Sequence, residues 1–203
     1  MVNDVFKQDS RYNRATELIT FIDNHDMHRF LTLNPDVDNL RLAIDFLMTT
    51  RGIPCLFYGT EQYLHNDTNA DDNIYGNNDP YNRPMMDKWD TETAIYWDVR
   101  KLSGLRRLNP AISMGSQWEK YITPDVFCYV RRYNGSRCFV ALNRGYPLTI
   151  KEVDTELPDR EHTCVLTGRK FEVKDGKIYN LELGEKEARS EERRVGKECR
   201  SRW

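Results

Sequence analysis

The sequence predicts an α/β segment followed by an all-β segment, and three features carry that prediction. A strand, a helix and a second strand follow one another between Leu18 and Gly59. A packed polar cluster, Asp23-Asn24-His25-Asp26, ends the first of those strands. From Gly115 onward helical patterning gives way to short strand-like runs separated by turn signals.

Each element has a local reason. The apolar run Leu18-Ile19-Thr20-Phe21-Ile22 reads as a strand, and the four polar residues after it cannot all be buried cheaply. They belong where a strand leaves the core, the position at which a parallel (β/α) barrel presents groups to its substrate. Asp38 or Asn39 can cap a helix with the apolar face Leu40, Ala43, Ile44, Leu47 and Met48. Arg51 suits its last turn and Gly52 its C′ position. Ile53 to Gly59 reads as a buried strand, and strand, helix, strand in that order implies parallel pairing. Asp90 can cap a further helix carrying Ile95, Val99, Leu102 and Leu105, with Tyr96 and Trp97 expected in the core and Asn109-Pro110 as the stop. Strands are expected over Trp118 to Ile122, Val126 to Tyr133, Arg137 to Asn143, Cys164 to Leu166, Phe171 to Val173 and Ile178 to Leu183. Asn134-Gly135 is a strong hairpin signal, and Lys174-Asp175-Gly176-Lys177 a second turn.

Composition narrows the function. The 203 residues permit one ordinary domain or two small ones, and a net charge of −2 argues for neither a nucleic-acid nor a membrane partner. No apolar stretch is long enough to span a bilayer. Nothing around Met1 resembles a signal peptide, but this decides little where Met1 is not the true start, so extracellular and cytoplasmic locations are both open. The five cysteines lack metal-ligand spacing. Asp67-Thr68-Asn69-Ala70-Asp71-Asp72-Asn73 offers oxygens at alternate positions, but Asp72 stands at the turn-glycine position and Asn78 at the closing glutamate. It reads as a solvated loop, and no metal is expected in this chain.

Three motifs in order give a resemblance. Phe21-Ile22-Asp23-Asn24-His25-Asp26 resembles the Phe-x-x-Asn-His-Asp motif of the α-amylase superfamily, glycoside hydrolase family 13. Gly52-Ile53-Pro54-Cys55-Leu56-Phe57-Tyr58-Gly59-Thr60-Glu61 resembles its Gly-x-Pro-x-x-x-x-Gly-x-Glu motif. Asp79-Pro80-Tyr81-Asn82-Arg83 resembles the Asp-Pro-x-Asn-Arg loop of the glucanotransferase branch. The likeness runs from about Leu18 to Glu185.

The resemblance implies the C-terminal part of a (β/α)8 TIM barrel, about strand 7 to helix 8, over residues 1–114. A small antiparallel β-sandwich, domain C, would follow over residues 115–188. It implies an enzyme that cleaves α-1,4-glucans with retention, handing the sugar to water as a hydrolase or to another sugar hydroxyl as a transglycosylase. A non-catalytic carbohydrate-binding or scaffold member is a further alternative. Retention needs a nucleophile and an acid/base about 5 Å apart. In the family both lie upstream of Asn-His-Asp, whereas here 25 residues precede Asp26 and no Gly-Phe-Arg-x-Asp-like sequence occurs. The chain therefore reads as the C-terminal fragment of a longer enzyme and should be inactive alone. What it retains would be Asp26 as the transition-state stabiliser, His25 as a donor to the same sugar, Asn24 orienting the loop, and Asp79 and Arg83 binding a sugar further along. Glu61 would be structural. The implied partner is an α-glucan oligosaccharide or polysaccharide. No cofactor is implied in this segment, with calcium possible in the missing part of the parent.

Residues 189–203 have no trustworthy period and resemble the translation of a sequencing-adaptor read-through, so they are expected to be an artefactual, disordered tail. They carry six Lys+Arg against three Glu, and the chain without them has a charge of about −5. A two-residue turn at Asn134-Gly135 sets Cys128 opposite Ala141 and Cys138 opposite Arg131, with the thiols on opposite faces of the sheet. Peptide mapping without reductant should therefore find no Cys128–Cys138 link; a linked peptide pair would refute the register.

Overall fold

The parallel strand–helix–strand unit is present, with short strands. In the computed structural model, which describes residues 2–66 and 82–193, β1 (Ile19–Thr20) pairs in parallel with β2 (Ile53–Pro54). The backbone of Ile53 donates to Leu18 O (2.9 Å) and that of Cys55 to Thr20 O (2.7 Å). Ahead of β1 lies α1 (Val2–Phe6); between the strands lie α2 (Phe30–Leu33) and α3 (Val37–Thr49). Asp36 caps α3, not Asp38 or Asn39: its carboxylate accepts from Asn39 N at 3.0 Å. Arg51 falls beyond the helix, where it forms a partly buried bidentate pair with Asp9 and stacks on Phe6. Gly52 has φ +110°, and a Cβ there would come within 2.7 Å of Leu18 O, so only glycine lets β2 start against β1.

Farther along the chain come α4 (Ala94–Leu108) and α5 (Pro110–Met114). Thr93 caps α4 in place of the expected Asp90, accepting from Tyr96 N at 3.1 Å; Asp90 instead accepts from Glu92 N. Asn109 ends α4 and caps α5. Ile95, Leu102 and Leu105 meet Leu40, Ile44 and Met48 of α3 in one core. Each such side chain contributes about 1.5–3 kcal/mol by leaving water. Tyr96 is half-buried, but Trp97 is exposed with Arg100 over its ring, so the core expectation fails for Trp97. It lies off the apolar stripe of Ile95, Leu102 and Leu105.

The remainder is β-structure: β3 (Ser116–Ile122), β4 (Val126–Tyr133), β5 (Ser136–Asn143), β6 (Leu148–Asp154), β7 (Arg160–Thr163), β8 (Lys170–Val173), β9 (Lys177–Leu183) and β10 (Glu187–Arg193). A four-stranded sheet runs β10-β5-β4-β3, and β6 pairs with β9 and β7 with β8. The hairpin between β4 and β5 turns at Asn134 and Gly135, both with positive φ. Tyr129, Cys138, Val140 and Leu142 point to the helices; Val126, Cys128, Val130, Phe139 and Ala141 point to Ile150, Val153, Ile178, Leu181 and Leu183. Burial on both faces explains why β4 and β5 read as nearly continuous apolar runs. Cys128 faces Ala141 and Cys138 faces Arg131, as the turn required, and neither thiol is in a disulfide.

Three strands differ from expectation. β6 was not foreseen because Lys151-Glu152 breaks its alternation, opposite Tyr179-Asn180 on β9, where Asn180 takes φ +55°. The strand expected at Cys164 to Leu166 lies earlier, at the polar β7, while Cys164 and Leu166 are buried after it. β10 carries regular structure past residue 189: Arg189 and Ser190 are buried and pair with Ala141 and Val140, so the expectation of a disordered segment fails for residues 189–193.

A buried acid pair bridges α3 and α4. Asp98 accepts from Arg41 Nε (2.5 Å), whereas Asp45 Oδ1 has no hydrogen-bond partner. Burial raises the Asp45 pKa well above the carboxylate range and Asp98 raises it further, against smaller opposing effects of Arg41 and Lys101. The folded chain thus holds this proton more tightly than the unfolded chain. That contribution is complete below the unfolded pKa near about 4 and is lost as pH rises through the folded value. Urea denaturation followed upward from about pH 5 should show the native chain losing stability relative to Asp45→Asn; parallel pH profiles would contradict the assignment.

Candidate functional site

The polar cluster emerges where β1 ends, and the chain divides it into buried and exposed members. Asp23 is buried: Oδ2 accepts from Phe30 N (3.2 Å) and Oδ1 from the Thr60 hydroxyl (3.1 Å). Asn24 Oδ1 accepts from Asp26 N (2.8 Å), a local turn that sets the loop's tip. His25 and Asp26 point outward with side chains 63% and 72% exposed, His25 Nε2 lying 3.2 Å from Asp26 Oδ2. An imidazole and a carboxylate side by side and open to solvent can hydrogen-bond neighbouring hydroxyls of one ligand.

Beneath this tip Arg29 is wholly buried. Its guanidinium donates to Asn82 O (2.8 Å) and Tyr58 O (2.8 Å) and lies over the Phe57 and Tyr58 rings at 4.0 and 4.6 Å. Burial lowers its pKa and the Asp23 carboxylate opposes that shift, with smaller support from Tyr58 and Glu61. Asn82, also wholly buried, donates from Nδ2 to His25 O (2.6 Å) and Met27 O (2.9 Å). The loop after β1, the loop after β2 and the segment at Asn82 therefore meet around one cation.

Of the sequence-derived candidates, Asn24, His25 and Asp26 come together on one loop, and Arg83 follows directly on Asn82 as an exposed side chain. Asp79 and the stretch Asp67 to Asn73 lie outside the described residues. Glu61 is half-buried and its carbonyl accepts from the Thr93 hydroxyl (3.0 Å), tying the second loop to the cap of α4. Arg29 and Thr60 were missed, since nothing in Met27-His28-Arg29-Phe30 marks a buried arginine. Asn82 stood inside a quoted motif without a role. Among the described residues no three His, Cys, Asp or Glu side chains gather as a metal site, and no helix is long and apolar enough to cross a membrane.

Comparison with known proteins decides the family. Residues 2–125 match the family model described as the α-amylase catalytic domain. The chain belongs to the α-amylase family. Cyclomaltodextrin glucanotransferases from Bacillus sp. (strain 38-2) and Thermoanaerobacterium thermosulfurigenes are 40% and 39% identical to it over 159 and 161 residues. Those matches cover 77% and 78% of this chain and 21% of each relative, so the chain spans about a fifth of their length. Among solved structures, the three-domain cyclomaltodextrin glucanotransferase CldA superposes with TM-score 0.87 at 43% identity, over 96% of this chain and 40% of that one. An Anoxybacillus α-amylase gives TM-score 0.79 at 29% identity, over 96% and 42%. In this α-amylase family chain the β1–α3–β2 unit is thus a portion of a TIM barrel, carried together with the sheets.

The Asp23 carboxylate acts on Arg29 as a counter-charge and is joined to it through the Thr60 hydroxyl, which donates to Asp23 and accepts from Arg29 Nη1. Asp23→Asn keeps the shape and removes the charge, and should cost about 1.5–3 kcal/mol in denaturant titration, the range for hydrogen bonds to a charged group. A loss well under about 1 kcal/mol would mean that Arg29 is neutralised elsewhere.

Proposed function

We propose that this chain is the C-terminal part of a longer retaining glycoside hydrolase acting on α-1,4-glucans, about strand 7 to helix 8 of its barrel followed by domain C. The observation that carries the reading is the exposed His25–Asp26 pair at the C-terminal end of a parallel strand, held on a buried charged base in an α-amylase family chain. Support for a larger whole comes from the sheet itself. Parallel strands are normally covered on both faces, yet Ile19, Phe21 and Ile53 are large apolar side chains left exposed.

In this reading Asp26 accepts hydrogen bonds from hydroxyls of the sugar being cleaved, and these strengthen as positive charge develops on the ring. His25 donates to a neighbouring hydroxyl of the same sugar. Asn24 holds the turn that aims both, and Asp79 and Arg83 bind a sugar further along. The nucleophile and acid/base come from earlier barrel strands. A second reading, transfer to another sugar hydroxyl, is favoured by the cyclomaltodextrin glucanotransferases at 37–40% identity.

The test is an assay on starch and maltooligosaccharides of the longer protein that carries this segment. It should release reducing ends, or form cyclic products if transfer dominates, and Asp26→Asn should lower kcat by roughly 10²–10³-fold. An inactive parent, or full activity in the variant, would overturn the proposal.

A further inference from the structure

We infer that Asn82 is a positioning residue of the candidate sugar site: its side-chain amide fixes the loop that presents His25 and Asp26 and locks it to the segment bearing Arg83. The sugar part of this inference rests on the α-glucan reading above; the clamp itself does not.

The geometry is specific to a short primary amide. Asn82 Nδ2 reaches the carbonyls of both His25 (2.6 Å) and Met27 (2.9 Å), the two residues that flank Asp26. One side chain thus spends both N–H donors on holding Asp26 from either side. The opposite amide orientation would set Oδ1 against two carbonyl oxygens, so the hydrogen-bond network dictates the one observed. Asp has no donor to offer, and Gln is longer by one methylene in a fully buried position.

The link also runs the other way. Asn82 O accepts from Arg29 Nε (2.8 Å), and Arg29 closes the same loop. Loop and segment are therefore cross-connected, side chain to backbone in both directions. By contrast the exposed tip has the local Asn24–Asp26 turn, which fixes its shape but not its place. Arg83 follows Asn82 directly, so a ligand that engages Arg83 acts on a backbone already joined to the carbonyls around Asp26. Asn82 touches no sugar itself.

The test uses the 203-residue chain and amide hydrogen exchange. In Asn82→Asp and Asn82→Ala, exchange across residues 23–30 should quicken by at least about tenfold, the factor expected for losing two buried hydrogen bonds, while the β4–β5 hairpin is unchanged. Unchanged exchange across residues 23–30 overturns the clamp. Equal quickening of the hairpin also overturns it, because Asn82 would then serve the whole fold. Should both variants fail to fold, the native chain decides: the Asn82 side-chain amide protons should exchange at least about tenfold more slowly than those of exposed Asn180, and equal rates overturn the inference. Titration with maltoheptaose, read at the His25 ring by NMR, separates the two claims. A shift in the native chain, with affinity at least about tenfold weaker in Asn82→Asp, supports positioning for sugar. No shift in the native chain overturns the α-glucan reading, and the exchange rates still decide the clamp.

Discussion

Arg29 is wholly buried, and a buried guanidinium must be both neutralised and hydrogen-bonded, or the structure around it fails. Its solution draws on three separated stretches of chain. Asp23 supplies counter-charge from the end of β1, Tyr58 and Thr60 supply oxygens from the loop after β2, and Asn82 supplies a carbonyl from beyond it. Two aromatic rings cover the cation. Because these groups are committed to Arg29, the intervening tip has little room to choose: Asp23 is drawn in, and His25 and Asp26 are turned out to solvent. The exposed pair follows from the buried network beneath it.

The strands that launch these loops are only two residues long and cannot set their own relative position. The C-terminal end of α3 does it for them. Phe46 O is met by the Thr50 N–H (2.8 Å), whereas the carbonyls of Met48 and Thr49 lie past the last helical N–H and take donors from other elements. Arg106 of α4 reaches Met48 O (3.0 Å) and Gly52 O (2.6 Å), and Arg131 of β4 reaches Thr49 O (2.8 Å) and Gly115 O (2.8 Å). Burial brings the Arg131 pKa down to about 10, far enough above neutrality for it to stay charged at this negative helix end. Gln117 takes the backbone N–H of Arg51 (3.0 Å), and the Tyr129 and Thr49 hydroxyls meet at 2.7 Å. The β-sheet thereby holds the end of the helix, the helix fixes where β2 begins, and β2 lines up with β1. The barrel portion takes its shape from the sheet it packs on.

Much of this was legible in the residues. The α3 and α4 stripes, the Asn134-Gly135 hairpin and the opposed faces of Cys128 and Cys138 follow from periodicity and turn chemistry, which are local. The caps were misplaced by two or three residues because Asp36, Asp38 and Asn39 are all competent, as are Asp90 and Thr93, and the choice depends on tertiary placement. β6 and β10 escaped because charge breaks their alternation, with pairing to β9 and β5 deciding instead. At the site the exposed half could be read from the sequence, since Asn24, His25 and Asp26 lie together in the chain. The buried half could not: Arg29, Thr60 and Asn82 are far apart, and neither burial nor hydrogen bonding across 31 and 53 residues leaves a local pattern.

The claim that the buried Asp23–Thr60–Arg29 network organises the loop is tested most directly by a double-mutant cycle on Asp23→Asn and Arg29→Met, read as unfolding free energy. If the two groups act as a unit, the double variant should recover part of the loss of the single variants, with a coupling of about 1–3 kcal/mol. Additive losses, with coupling near zero, would contradict the account and leave Arg29 a packing residue with no hold on the loop that carries His25 and Asp26.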